Sequence, residues 1–339
     1  MNMFDVNQVV YYRELKIKGE IIDVFVAEDG NTNYLVEFEN GDIKSLLGKD
    51  LQLANGKLLW AEPYVNAKKV ELQRRVKELE CDVKLVIIRV DGDEASERYV
   101  RNKNKMCEEI GVLSETILLP SDVTQEEVRD VIEELNSDDK VDGILLQLPL
   151  PKHLDEKYLL DQICPYKDVD SLSSWNLGKL LKDETYLPSC TPRGIVQLLK
   201  FYGISLKSKD VLIINDSVKV GRPLSQLLLK EKATPTIAHK ETKNLKDKIK
   251  QADIVVTATG QLRFLNADDF NENTVIVDVS ININEEGKLE GDVDKKDYDE
   301  LLVKGCSIVP VPKGIGMTTV ASLLENVIEV VEKKVNKNE

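Results

Sequence analysis

The stretch Asp142-Gly143-Ile144-Leu145-Leu146-Gln147-Leu148-Pro149-Leu150-Pro151 leaves few folds open to this chain. Its aliphatics run on without alternation, as in a strand of a parallel sheet covered on both faces. A glutamine then breaks the run, and two prolines forbid further ladder pairing. Open α/β sheets place ligands at such strand ends. Gln147 is therefore a candidate site residue, with Pro149 and Pro151 fixing the wall beside it.

The chain has 339 residues, enough for two domains and a small third. Its 42% hydrophobic and 31% charged content fits a globular protein. A net charge of -14 argues against a nucleic-acid backbone as partner, which needs a basic footprint. No apolar run reaches the roughly 20 residues that span a bilayer, so no membrane association is expected. Met1-Asn2-Met3-Phe4-Asp5 carries no basic segment followed by an apolar one, so no signal peptide is expected. The five cysteines, at 81, 107, 164, 190 and 306, are scattered and never in a Cys-x-x-Cys pair. They suggest buried thiols in a reducing cytoplasm, with no disulfide frame. With His153 and His239 alone, no metal centre is expected.

Residues 8 to 53 carry short β-type runs: Val9-Val10-Tyr11-Tyr12, Ile21 to Val26 and Tyr34 to Phe38. Lys18-Gly19, Asp29-Gly30-Asn31 and Asn40-Gly41 separate them as turn signals. Residues 1–56 thus read as a small antiparallel β barrel of SH3 or Tudor-like type. Such a module binds an unknown partner or serves as a spacer, and both readings stay open. From residue 57 strands and helices alternate. The fold class is α/β, two-lobed, with a Rossmann-like doubly wound parallel sheet in the C-terminal lobe. The boundaries fall at 57–188 for a catalytic lobe and 189–317 for a nucleotide-binding lobe. Ser96 is expected to cap a helix running to Ile110, with Gly111 as its stop. Pro188 to Gly194 reads as a rigid link into a further helix. A last helix over 318–335 presents Val320, Leu323, Leu324, Val327, Ile328 and Val331 on one face, suited to packing back onto the first lobe.

Tyr99 and Lys103 lie four apart on one helix face. Alone, the pair reads equally as a solvated helix face. With Gln147 and the loop Lys167-Asp168-Val169-Asp170 it can hold a flat nitrogen heterocycle: the ring stacks on Tyr99, its amidine-like edge donates to Asp170, and Lys103 meets the reacting carbon.

These residues, in this order, resemble the bifunctional methylenetetrahydrofolate dehydrogenase/cyclohydrolase (FolD) family over roughly residues 58 to 335. The resemblance rests on Ala95 to Lys103, Asp142 to Pro151, Pro165 to Asp170, Cys190-Thr191-Pro192-Arg193-Gly194, and Pro310-Val311-Pro312-Lys313-Gly314-Ile315-Gly316. It implies Tyr99 as the ring-stacking residue, Lys103 as the catalytic lysine and Gln147 as the amide that orients it. It implies Asp170 as pterin anchor, with Pro149, Pro312, Gly314 and Gly316 closing on folate. It also implies a homodimer and NADP as hydride acceptor. Methylenetetrahydrofolate would be oxidised to the methenyl cation and hydrolysed to 10-formyltetrahydrofolate. Lys103 with a lowered pKa suits the second step.

The cofactor segment departs from the family's Gly-Arg-Ser run. It reads Asn215-Asp216-Ser217-Val218-Lys219-Val220-Gly221-Arg222-Pro223-Leu224. By the resemblance, Asn215, Asp216, Ser217, Gly221, Pro223, Lys240 and Ile281 hold the dinucleotide. Asp216 replaces an arginine that meets the 2′-phosphate of NADP, and a carboxylate there suits the ribose hydroxyls of NAD. Lys240 adds a positive charge at the family's serine position, so NAD and NADP both remain open. Asp170-Ser171-Leu172-Ser173 replaces the usual Asp-Gly-Phe-His. Asp216 and the altered loop after Pro312, Lys313-Gly314-Ile315-Gly316, leave a second reading, a folate- or nucleotide-binding protein that has lost hydride transfer and acts through its N-terminal module. A third, a dehydrogenase of amino-acid or shikimate type, is not favoured by the Gln147 and Asp170 motifs.

Overall fold

The structure, a computed structural model, describes residues 4–6, 8–12, 17–27, 29–38, 40–53 and 55–336. Along the chain come β1 (Val9–Tyr12), β2 (Ile17–Val26), β3 (Thr32–Phe38), β4 (Ile43–Leu47) and β5 (Leu51–Leu53). Then follow α1 (Ala61–Glu78), β6 (Lys84–Val90), α2 (Glu94–Ile110), β7 (Leu113–Leu119), α3 (Gln125–Ser137), β8 (Gly143–Leu146), α4 (Glu156–Gln162) and α5 (Ser174–Leu181). The rest comprises α6 (Cys190–Phe201), β9 (Asp210–Ile214), α7 (Gly221–Lys230), β10 (Thr234–Ala238), α8 (Leu245–Gln251), β11 (Ile254–Thr257) and β12 (Val275–Asp278). A short hairpin of β13 (Asn282–Ile283) and β14 (Leu289–Glu290) precedes α9 (Tyr298–Val303), β15 (Ser307–Val309) and α10 (Ile315–Val335).

The architecture is α/β with parallel sheets and one antiparallel N-terminal sheet. Three strands in the order β7-β6-β8 run parallel. Five more follow the order β10-β9-β11-β12-β15. The N-terminal strands are antiparallel in the order β4-β3-β2-β1-β5, around Val10, Ile21, Tyr34, Val36 and Phe38. Two expectations are corrected. Lys18-Gly19 is not a turn but lies inside β2, with Gly19 opposite Val10; the connection falls at 13–16, outside the described residues. A Cβ at Gly19 would lie 2.4 Å from Val36, so this glycine serves close strand packing. Ser96 does not cap α2. Asp93 does, its carboxylate accepting from the Ser96 N–H at 2.9 Å, while Gly111 ends the helix at φ 85° as expected.

The chain forms two compact units: residues 1–59, 209–214 and 238–312, and residues 60–208, 215–237 and 313–339. In the first, residues 57–59 lie along β15: Ile308 N–H donates to Lys57 O at 2.8 Å, and Leu59 N–H to Ile308 O at 2.7 Å. Gly56 is pressed against the end of α9 and the turn after it, where a Cβ would lie 2.7 Å from Leu302 Cα and 2.1 Å from Cys306 O. The end of β12 is also crowded. Asp278 accepts from the N–H groups of Asp292 and Val293, and Gly291 leaves no room for a Cβ beside it.

In the second unit, α10 packs against α1 and α6. Its expected apolar face is buried, but so are Ser322, Glu325 and Asn326, so the helix is enclosed nearly all round. Close approach to α6 requires Gly194, where a Cβ would lie 2.4 Å from the Thr318 hydroxyl. Cys190 to Gly194, read as a link, is the first turn of α6 itself.

Burial pushes the Asp278 carboxyl up to about 7. The folded chain therefore binds this proton more tightly than the unfolded chain. The stability it contributes is complete below about pH 4 and is lost as pH rises through about 7. Asp278→Asn, which cannot ionise, should flatten the stability–pH curve across that window. Urea midpoints of variant and wild type at about pH 5 and about pH 8 check this; equal slopes would contradict it.

Candidate active site

The second unit contains a cavity of about 260 Å3, lined by Lys103, Gln147, Asp170, Cys190, Thr191 and Lys219 among others. Each side chain arrives there for a local reason. β8 is the last strand paired beside β6, and its aliphatics are fully covered. Gln147 follows at its end, its N–H donating to Ile88 O at 2.8 Å. The Leu148-Pro149 peptide bond, which is cis, then turns the chain away. Lys103 comes from the middle of α2, and its Nζ donates to Gln147 Oε1 at 2.7 Å. The same amide donates its Nε2 hydrogen to Leu148 O at 2.6 Å, which fixes which end faces the lysine.

Asp170 is brought beside them by the loop that follows α4. Ile144 N–H donates to Lys167 O at 2.8 Å, and Asp168 bridges to Ile144, so the loop runs alongside β8. Gly143 allows the approach, since a Cβ would lie 2.7 Å from Val169. The loop's other charged residues are scaffold. Lys167 donates to the carbonyls of Leu135, Asn136 and Asp138 at the end of α3. Asp168 accepts from the N–H groups of Ser171 and Ser173 and from the Asn176 amide. Ser171 stands at φ 59°, a left-handed conformation held by its hydroxyl donating to Leu187 O at 2.6 Å.

The electrostatics follow from enclosure. Burial pushes the Lys103 ammonium below its ordinary pKa, and the Asp170 carboxylate opposes that shift. Burial pushes the Asp170 carboxyl up, against the pull of Lys103. Burial and then Asp170 hold the Cys190 thiol well above its usual value, so Cys190 is a neutral wall and not a thiolate. The arrangement offers a proton-exchanging amine, a neutral amide aiming it, and a carboxylate acceptor in one space.

The remaining expected residues fall as follows. Tyr99, 37% exposed, lies one turn before Lys103 on α2. Pro149 is exposed just past Gln147. Gly314 precedes α10 and Gly316 lies in its first turn; neither lines the cavity. Pro312, Lys240 and Ile281 are exposed residues of the first unit. Asn215, Asp216, Ser217, Gly221 and Pro223 come together in the turn before and the first residues of α7. Asn215 Oδ1 accepts from the N–H groups of Ser217 and Gly221, at 2.9 and 3.0 Å. A Cβ on Gly221 would lie 1.8 Å from Asn215 O, so only glycine fits. Asp216 is exposed, with its carbonyl receiving the Arg222 guanidinium at 2.8 Å.

Sequence reasoning gave no role to Asn326, Arg193 or Lys219. Asn326, buried in α10, donates to Val169 O at 2.8 Å and Pro188 O at 2.9 Å. Its Oδ1 accepts from Arg193 at 2.6 Å, and Arg193 also meets Glu329 and Glu325 at 2.6 and 2.9 Å. A polar residue among the apolar positions of α10 was the available signal.

Comparison with known proteins places these features in context. A family model described as the tetrahydrofolate dehydrogenase/cyclohydrolase catalytic domain matches residues 59–170, and one for the NAD(P)-binding domain matches residues 189–335. The bifunctional protein FolD of Agathobacter rectalis is 42% identical over 268 residues, covering 78% of this chain and 95% of that protein. That of Bacillus cereus is 44% identical over 246 residues, 72% of this chain and 85% of its own length. The crystal structure of the bifunctional enzyme FolD from Campylobacter jejuni superposes with a TM-score of 0.78 at 38% identity, covering 82% of this chain and 99% of that one. A Trypanosoma brucei methylenetetrahydrofolate dehydrogenase-cyclohydrolase complexed with NADP and inhibitor gives 0.76 at 29% identity, covering 83% and 98%.

Asn326→Ala would strip the Pro188 carbonyl and one Arg193 guanidinium hydrogen of this partner and leave the Val169 carbonyl with only the weakly donating Cys190 thiol at 3.3 Å. A loss of roughly 2–4 kcal/mol is expected from the lost bonds and the orphaned groups. Urea unfolding with an unchanged m-value measures it; a loss under about 0.5 kcal/mol, the range of ordinary surface changes, would refute the anchoring role.

Proposed function

The chain belongs to the tetrahydrofolate dehydrogenase/cyclohydrolase family, and on that premise we propose how its own residues divide the work. It is a bifunctional enzyme of one-carbon folate metabolism. It oxidises 5,10-methylenetetrahydrofolate to the 5,10-methenyl form with NADP and hydrolyses that product to 10-formyltetrahydrofolate. The reading that the protein binds folate without hydride transfer is not favoured, given bifunctional relatives at 42% and 44% identity.

The observation that carries the assignment of roles is the Lys103–Gln147 hydrogen bond in a cavity shared with Asp170. The Asp170 carboxylate accepts from the amidine edge of the pterin, and the Tyr99 ring stacks on it. Lys103 Nζ takes a proton from the water that attacks the methenyl carbon and returns it as the ring opens. Gln147 aims that nitrogen. Because the amide is neutral, it does so without raising the lysine's pKa through charge. Pro149, Pro312, Gly314 and Gly316 form the folate-side wall and loop in this reading.

The turn from Asn215 to Gly221 suits a dinucleotide-binding turn, because Gly221 admits no Cβ and lets the chain close tightly against Asn215 O at the start of α7. When bound, the dinucleotide supplies the hydride acceptor. Asn215, Ser217, Gly221 and Pro223 would form its cradle, and the family resemblance adds Lys240 and Ile281 to the cofactor residues. Asp216 and Lys240 set the balance between NADP and NAD. We assign residues 57–188 to a folate lobe, 189–317 to a Rossmann-type nucleotide lobe, and 318–335 to the helix that returns to the first. Residues 1–56 form a separate β module, a spacer or a partner-binding surface, on a cytoplasmic homodimer.

Purified protein should oxidise methylenetetrahydrofolate, followed by methenyl and reduced-cofactor absorbance; no turnover with NADP or NAD would overturn the assignment. Lys103→Met should lower cyclohydrolase kcat by about 100-fold or more, the scale of general-base catalysis. Lys103 acts as the neutral amine, so kcat should rise with pH and level off above its lowered pKa. Asp170 opposes that lowering, so Asp170→Asn should move the acid limb of kcat to lower pH; a shift to higher pH would contradict the coupling. Asp216→Arg should raise the NADP-to-NAD ratio of kcat/KM by about tenfold, one well-placed ionic contact to phosphate. An unchanged ratio would show that the turn does not set cofactor choice.

A further inference from the structure

Two lysines line one cavity, and the chemistry above uses only Lys103. Lys219, in the turn before α7, also lines it. Its Nζ lies 2.7 Å from Glu156 Oε1, at the start of α4. Glu156 does not line the cavity. The ion pair is therefore oriented, with its positive end toward the enclosed space and its negative end outside. Asp170 feels both lysines, each favouring its charged form.

We propose that Lys219, balanced by Glu156, is a specificity residue that destabilises the bound methenyl cation and so pushes its partition toward hydrolysis. This rests on the folate reading of the site. In that step the water oxygen bonds to the one-carbon unit and the carbon–N5 bond breaks. One water hydrogen ends on N5 and one proton leaves through Lys103 to solvent. A cation and water become a neutral formyl product and a proton. An ammonium facing the cavity repels the reactant cation and not the neutral product, and it acts most strongly before the charge is quenched.

Both side chains are partly exposed, 41% for Lys219 and 29% for Glu156, so the effect is modest. Lys219→Met should lower the KM for methenyltetrahydrofolate about two- to fivefold, lower cyclohydrolase kcat to a similar degree, and let more methenyl accumulate during dehydrogenase turnover. Glu156→Gln, which strips the counter-charge, should do the opposite. Lys219→Arg should behave as wild type, and the differences should shrink as salt is raised. A purely structural role would move both neutral variants in one direction, and that result, or no change in partition, overturns the proposal. Wild-type turnover of both steps is measured in the same series; its absence would instead sink the folate reading.

Discussion

One buried amide holds the cavity together. Asn326 donates to Val169 O, next to Asp170, and to Pro188 O, just before Cys190. The two loops that meet at the cavity are thus tied to the same side chain of the same helix. Arg193 fixes the amide's orientation, and Glu325 and Glu329 fix Arg193. In a low-dielectric interior such a network is rigid when complete and costly when broken at any member. The geometry between Asp170 and Lys103 is therefore inherited from α10, which contributes no side chain to the cavity lining.

The cavity's electrostatics depend on what surrounds its charges. A glutamic acid at position 147 would hold Lys103 equally well and would stabilise its protonated form. The amide present holds it while leaving burial to dominate. Asp170 is the counter-charge: it favours the ammonium and so opposes the lowering that burial imposes, and it is too enclosed to be screened.

Much of this was legible in the chain. The Asp142–Pro151 run named a covered parallel strand with a polar residue at its end, and Gln147 lines a cavity there. Tyr99 and Lys103 were placed on one helix, and Gly111 stopped it. What the sequence hid was tertiary. Asp93 and Ser96 are both good capping types three residues apart, and only the backbone decides which one accepts. Lys167 and Asp168 look as functional as Asp170, yet both spend their polar atoms on neighbouring carbonyls and amides. Ser171 occupies a left-handed position usually given to glycine, and the hydroxyl bond that holds it there is made to residue 187, far along the chain. Lys219 reads as one more surface lysine until the cavity beside it is seen.

Gly56 and residues 57–59 carry a consequence for the N-terminal sheet. The segment has no slack: it is wedged on α9 and hydrogen-bonded along β15, the last strand of its sheet. An open parallel sheet normally leaves its outer strand as a template for foreign strands. Here the junction itself blunts that edge. The N-terminal strands share the first compact unit with β15, and the junction doubles as a guard. A chain cut after residue 59 would lose more than the appended strands, because it would also uncover the border of β15.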